Sequence, residues 1–424
     1  MTYGQGPLTS LKIAYLTGEY PRVTDTFIQR EVAALRRRGV EIETFSIRRP
    51  SSLEAGRPEE VARTVYVLPC PPARLISAHV GLLVASPRRY LAAARLAWSM
   101  RAPGLKALLW QLFYFGEAAV VATEMGRKRI GHLHNHFASS SCSVAMLAAA
   151  LGSFTFSFTI HGPAEFLEAS SWSLGEKAEH ALFVVCISHF CRSQLMIWTP
   201  IETWNRFHIV HCGVEPGSHA IVDHRGTGSR LLWVGRLAKL KGLRTLLEAT
   251  AKLKGRRPEL KLEIVGDGPD RDSLEALART LGLEDHIRFL GYLSPPEVEA
   301  RMREAGVFVM SSLAEGVPVV LMEALASGLP VVAPAIGGIG ELVEHGVSGF
   351  LTPASDVECL VERIEELLAS PDLRLRMGKA GRARVEREFD AEIEAARLHQ
   401  ILLDALAENA AGADAVRPED CECG

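Results

Sequence analysis

The sequence predicts an α/β protein of two domains, each built on a parallel sheet wrapped by helices. Three observations carry this. At 424 residues the chain is too long for one hydrophobic core. Apolar strand-like runs alternate with amphipathic helical stretches in each half, the pattern of β-α-β units. Between the halves, 217–229 is polar, glycine-containing and aperiodic, which places a boundary there. The expected division is 1–216, a linker at 217–229, 230–388, a long helix at 389–410 and a disordered tail at 411–424.

Composition narrows the class. Hydrophobic residues make up 48% and charged residues 23%, as in soluble globular enzymes. A net charge of -3 gives no reason to expect nucleic acid as a partner. Eight scattered cysteines show no disulfide framework, which points to reduced thiols in a cytoplasm. Cys421 and Cys423 fall in the expected tail. Met1 to Ser10 lacks a basic-then-apolar leader pattern, and no uninterrupted apolar run reaches the length of a membrane span. The expectation is a cytoplasmic protein that can touch a membrane without crossing it.

The first half opens with a strand over Leu11 to Leu16, a helix over Thr26 to Leu35 stopped by Gly39, and a strand over Val40 to Ile47. Ligands of a parallel sheet gather at the carboxyl ends of its strands, so the loop Glu19 to Asp25 borders a site. From Glu60 to Glu117 no acidic residue intervenes, while Arg63, Arg74, Arg88, Arg89, Arg95, Arg101 and Lys106 alternate with apolar and aromatic residues. Helices of that kind can lie on an anionic membrane surface. His132, His134 and His136 alternate, sharing one face of a strand. A metal reading is set aside because no acidic or cysteine ligand is near in sequence. His136, at the strand end, is expected to line the site. A small-residue helix follows over Ser139 to Leu151. The strand Phe154 to Ile160 then delivers His161 and Gly162 at its carboxyl end. Strands over Leu182 to Cys186 and Phe207 to Val214 complete this half.

In the second half, the strand Arg230 to Val234 runs into Gly235-Arg236-Leu237-Ala238-Lys239-Leu240-Lys241-Gly242. A strand, a glycine-containing loop and a helix form a phosphate-binding geometry. Arg236 can grip phosphate oxygens with a fork of donors, and Lys241 adds a compact charge. Leu262 to Pro269 is a strand and turn through Gly266. Asp270-Arg271-Asp272 spells a metal-binding D-x-D, yet it opens a helix over Asp270 to Leu281, where acids suit the helix dipole. No divalent metal and no cofactor are expected. Ile287 to Ser294 is a strand with its exit loop at Tyr292. After Val307 to Met310, Glu315 lies in a turn and Pro318 begins a helix to Ala326, stopped at Gly328. Amides from Gly316 through Val317, Val319 and Val320 at that start suit a phosphate. Glu315 and Glu323 flank it and can accept hydrogen bonds from sugar hydroxyls. Pro330 to Pro334 reads as a buried strand, Ala354 to Phe389 as helical, and Asp390 starts the final helix.

Glu315 and Glu323 match the E-x7-E element of retaining glycosyltransferases of the GT-B fold, family 4. Gly337-Gly338-Ile339-Gly340-Glu341 and Gly346-Val347-Ser348-Gly349-Phe350 resemble its continuation, and Gly235 to Gly242 resembles its diphosphate-binding pair. His134-Asn135-His136-Phe137-Ala138, His161-Gly162 and the Glu19–Asp25 loop resemble bacterial exopolysaccharide enzymes of the colanic-acid type. The resemblance reaches Leu406. It implies two Rossmann-like domains facing across a cleft, with the last helix crossing back to the first. Its implied donor is a nucleotide-diphosphate sugar, UDP- or GDP-linked. Gly235, Arg236, Lys241 and Gly266 would hold the diphosphate side, and Tyr292 would flank the base. Glu323 would hold the ribose; Glu315, Gly316 and Val317 would hold the sugar. His161 would stabilise the transition state. Glu19, Tyr20, Arg22, Thr24 and His136 would face a saccharide or polyprenyl-diphosphate-linked acceptor. Peripheral contact with an anionic membrane surface fits that acceptor. Retention implies a same-face displacement, since no carboxylate matches a covalent nucleophile. A nucleotide-sugar epimerase and a donor-binding protein without turnover are the alternatives. The first lacks a clear acid/base set, and the second does not explain why every donor-side residue is retained.

Overall fold

The computed structural model describes residues 11–22, 25–50, 58–101 and 103–415, with 413–415 described by backbone alone. The chain divides into two compact units: one of 1–187, 192–210 and 394–424, the other of 188–191 and 211–393. Each is built on one wholly parallel sheet.

The first unit's strands are β1 (Lys12–Glu19), β2 (Glu41–Arg48), β3 (Val65–Tyr66), β4 (His132–His136), β5 (Thr155–Ile160), β6 (Val184–Cys186) and β7 (Phe207–Ile209), ordered β3-β2-β1-β4-β5-β6-β7. Its first helices are α1 (Thr26–Arg37), α2 (Pro58–Arg63), α3 (Pro72–Ala85), α4 (Pro87–Ser99), α5 (Leu105–Lys128) and α6 (Ser140–Leu151). The order reverses beside β1, whose neighbours are β2 and β4. Such a switch point leaves a crevice at the carboxyl ends of the strands. Ile13, Val32, Leu35, Phe183, Leu398 and Leu402 share the core, so the helix Ala391–Ala415 closes this unit from Glu394 onward.

The second unit's strands are β8 (Arg230–Val234), β9 (Lys261–Val265), β10 (Ile287–Gly291), β11 (Val307–Val309), β12 (Val331–Pro334) and β13 (Gly349–Thr352), ordered β10-β9-β8-β11-β12-β13. Sheets covered by helices on both faces bury near-continuous apolar strands. Leu231, Trp233, Ile264, Val309 and Val332 do so here.

Several expected boundaries move, each for a local reason. Segment 217–229 is not a free connector. It belongs to the second unit, where the fully buried Arg374 donates to the carbonyls of His224, Arg225, Leu367 and Leu368. The single helical stretch expected over Ala354 to Phe389 is two helices, Val357–Ala369 and Pro371–Glu388. Ser370 caps the second, and Pro371 takes its first position, where no N–H is needed. Pro318 caps rather than begins its helix, which is Val319–Ala326, because its ψ of 122° is extended. The expected tail 411–424 is helical to Ala415, while 416–424, with both terminal cysteines, lies outside the described residues.

The expectation of no span-length apolar run is also revised. Helix α5 has 24 residues and a mean hydropathy of 1.3 in its most apolar window, enough to cross a bilayer by length and composition. In its second half Ala118, Ala119, Val120, Val121, Ala122 and Met125 are buried in the first unit, and the helix packs on α6.

Glu117 sits where α5 enters the core. Burial drives its carboxyl from 4.5 up to about 7, against a smaller opposing pull from Arg48. A raised acid holds its proton in the folded state while the unfolded chain has lost it. Its contribution is therefore complete below pH 4.5 and disappears as pH rises through 7. Glu117→Gln should unfold later than wild type by a margin that widens by about 2 kcal/mol between about pH 5 and about pH 8. A margin that stays constant with pH in chemical denaturation would show that Glu117 ionises freely.

Candidate functional site

In the second unit, the carboxyl ends of β8, β9, β11 and β12 bring four loops together. Leu237 N–H donates to the Asp267 carbonyl (3.0 Å), Leu313 N–H to Leu240 (2.8 Å) and Gly338 N–H to Gly316 (2.9 Å). This lacing demands close backbone approach. Gly266 has φ +124°, and a Cβ there would overlap the Gly235 carbonyl; at Gly337, φ +54°, it would overlap that of Glu315.

Two predicted residues meet on this edge. Lys241 Nζ lies 2.6 Å from Glu315 Oε1, and the Ser312 hydroxyl donates to the same oxygen at 2.6 Å. Glu315 is thereby fixed from the β8 exit and from its own loop. The Lys241 carbonyl in turn accepts from Ser311 Oγ (3.2 Å). Behind Glu315, Val317 is buried and Val319 and Val320 take the first two helical positions, whose amides have no acceptor within a helix. Glu323 is half-buried in the same helix. Arg236 is exposed beside Gly235, with no hydrogen bond or ion pair to the other described residues. Tyr292 is 63% exposed just past β10, whose last residue, Gly291, accepts from Gly266 N–H (2.7 Å). The D-x-D is not a metal site in form: Asp270 is the N-cap of Arg271–Thr280, and Arg271 pairs with Asp267 and Glu275.

In the first unit, the exits of β1, β4 and β5 border a pocket of about 370 Å³ lined by Glu19, Arg22, Asp25, Phe137, Glu165 and Trp172, among others. Glu19 and Arg22 both line it, 3.8 Å apart. Thr24 lies outside the described residues. Two acceptor-side expectations need correction. Tyr20 is in the core at 2% exposure, its amide bonded to Ser46 Oγ and its hydroxyl to Glu60. His136 has no exposure at all, and Phe137 takes its place at the pocket wall.

The three histidines do share a face, paired in register with Thr155, Ser157 and Thr159 of β5. His132 bonds Thr155 (2.7 Å) and Ser157 (2.8 Å), and His134 bonds Ser157 (2.8 Å) and Thr159 (2.9 Å). Burial holds His132 down to about 3, and burial with the neighbouring rings holds His134 and His161 well below the usual histidine range. These three rings are neutral at ordinary pH. His136 bridges outward, from Glu31 Oε1 (3.1 Å) to His161 Nε2 (3.0 Å), and Tyr15 donates to the same glutamate oxygen (2.7 Å).

Glu31, His134 and His136 place ligand atoms within 4.8 Å of one another. No acid is near these histidines in sequence, but the fold brings Glu31 of α1 to them. The chemistry of the group still favours hydrogen bonding, because every ring nitrogen of His134 and His136 already has a partner.

Glu165 was not foreseen. Its carboxylate accepts from the amides of Ala138, His161 (2.6 Å) and Gly162 (3.0 Å), tying the β4 and β5 exits together. Buried Lys177 does the reverse job, donating to the carbonyls of Ala138 (2.7 Å) and Ser139 (2.9 Å). For Glu165, its place three residues past Gly162, as in a capping box, was the available signal. Glu31 offered none, being 105 residues from His136.

Residues 217–384 match the family described as Glycosyl transferases group 1. The chain is 32% identical over 149 residues to the alpha-D-kanosaminyltransferase of Streptomyces kanamyceticus, covering 35% of this chain and 39% of that one. It is 34% identical over 205 residues to the amylovoran biosynthesis glycosyltransferase AmsK of Erwinia amylovora, covering 46% and 50%. The matches thus span half or less of these relatives' length. HepE of Anabaena, crystallised in complex with UDP, superposes with a TM-score of 0.72 over 93% of this chain and 100% of its own, at 17% identity. The fold is GT-B, and the second unit carries a glycosyl transferases group 1 domain.

Proposed function

We propose that the protein is a retaining glycosyltransferase. It would move a sugar from a UDP- or GDP-linked donor to a saccharide or polyprenyl-diphosphate-linked acceptor in cell-surface or exopolysaccharide biosynthesis. The observation that carries the reading is the Lys241–Glu315 pair on glycine-laced loops beside the Val319 and Val320 amides. It sets a cation and helix-start amides, suited to a diphosphate, next to a carboxylate suited to sugar hydroxyls. The AmsK relative supports the polysaccharide setting, and the UDP complex of HepE supports a nucleotide-linked donor.

In this mechanism the acceptor oxygen bonds to the anomeric carbon on the face from which the diphosphate departs. The carbon–oxygen bond to phosphate breaks, and the leaving phosphate takes the acceptor's proton. Arg236 and Lys241 stabilise the charge that develops on it, so no divalent metal and no cofactor are required. Glu323 holds the ribose, Glu315 with Gly316 and Val317 holds the sugar, and Tyr292 flanks the base. Neutral His161, braced by His136, packs at the reacting centre. Glu19 and Arg22 face the acceptor. The enzyme would work in the cytoplasm, in peripheral contact with the inner membrane face, where a polyprenyl-linked acceptor resides.

Arg236→Ala and Lys241→Ala should each lower transfer by more than about tenfold, as loss of a transition-state charge contact does. Rates within about twofold of wild type in both would remove these residues from the mechanism. A thermal-shift panel of UDP- and GDP-sugars should single out the donor, because a cognate ligand raises apparent stability by mass action. Incubation with that donor alone should leave its sugar configuration unchanged. Inversion without acceptor would instead identify an epimerase.

A further inference from the structure

Between β3 and β4 the chain inserts α3, α4 and α5, which pack on one another. Their apolar residues are not all spent on that packing. On α3, Ile76, Val80, Leu83 and Val84 are exposed, spaced i, i+4, i+7 and i+8 along one helical face. On α5, Leu105, Leu109, Leu112 and Phe113 repeat the spacing, with Trp110 beside them, and α4 adds Leu91 and Trp98. Exposure reaches 78% at Val84, 74% at Leu105 and 62% at Phe113. Two stripes on adjoining helices exceed the scattered apolar residues of an ordinary surface.

Up to Glu117 in α5, the charged residues of these helices carry one sign. No carboxylate occurs from 61 to 116. Arg88, Arg95, Arg101 and Lys106 are exposed and, among the described residues, have no carboxylate partner. The Arg101 guanidinium lies over the Trp98 ring at 3.6 Å, joining cation and aromatic in a single amphipathic group.

We infer that α3, α4 and α5 form a docking surface for an anionic lipid leaflet. The apolar stripes enter the boundary between headgroups and acyl chains, and Arg88, Arg95, Arg101 and Lys106 meet the lipid phosphates. Charge decides the occupant. A second copy of this chain would bring arginine against arginine across a symmetric interface, whereas an anionic leaflet supplies apolar depth and negative charge together. The inference deepens the membrane side of the proposed function and is independent of its chemistry.

Flotation with phosphatidylcholine vesicles, with and without phosphatidylglycerol, tests it. The full chain should float with the anionic vesicles and at least tenfold less with neutral ones. High salt should weaken the binding without abolishing it, because insertion is not screened. The pairs Arg88→Glu/Arg95→Glu and Leu109→Ser/Phe113→Ser should each cut binding by more than tenfold, with an unchanged thermal unfolding transition as proof of folding. Arg236→Ala should float like wild type, so failure of the transferase reading and failure of docking are told apart. No flotation with anionic vesicles at low salt, or binding indifferent to both pairs, overturns the inference. A concentration-dependent dimer broken by Leu109→Ser/Phe113→Ser, with no vesicle binding, also overturns it and assigns the face to a second copy.

Discussion

One ion pair organises the second unit's site. Lys241 comes from the β8 exit and Glu315 from the β11 exit, and they meet at 2.6 Å on a foundation of backbone hydrogen bonds. Both are partly exposed, so the pair contributes little to stability. Its value is geometric. Ser312 holds the same carboxylate oxygen, and the loops beneath cannot shift without separating carbonyls from glycines that tolerate no Cβ. Cation and carboxylate are therefore oriented before any ligand arrives, which spares that ligand the cost of ordering them.

The first unit achieves fixity by a different means. Glu165 and Lys177 are charged groups buried against backbone amides and carbonyls rather than against each other's charge alone. Taking such groups out of water is costly unless their hydrogen bonds are complete, and here they bind the very exits that carry Phe137 and His161. Beneath them the neutral histidine ladder between β4 and β5 adds polar specificity to a core without adding charge.

The parts of this architecture readable in sequence are those encoded locally. The second unit's loops follow their strands directly, so the placement of Gly235 to Gly242 and Glu315 to Glu323 at strand exits was legible from spacing alone. What escaped depends on which strands become neighbours. Glu31 reaches His136 only because β1 pairs with β4, which nothing near either residue records. Tyr20 sits in a polar loop yet turns inward, because Ser46 and Glu60 offer partners there. Segment 217–229 has a linker's composition, but Arg374, about 150 residues later, recruits its carbonyls into a core.

The Ala391–Ala415 helix sets a schedule for biosynthesis. Leu398 and Leu402 fill the same core as Ile13 and Val32, although nearly the whole chain separates them. Domains emerging from the ribosome ordinarily fold amino-terminus first. Here the amino-terminal unit cannot complete its interior until the second has been translated. During that interval its unfilled groove exposes apolar surface to the ribosome's surroundings, making the nascent protein a natural client for chaperones that shield hydrophobic segments.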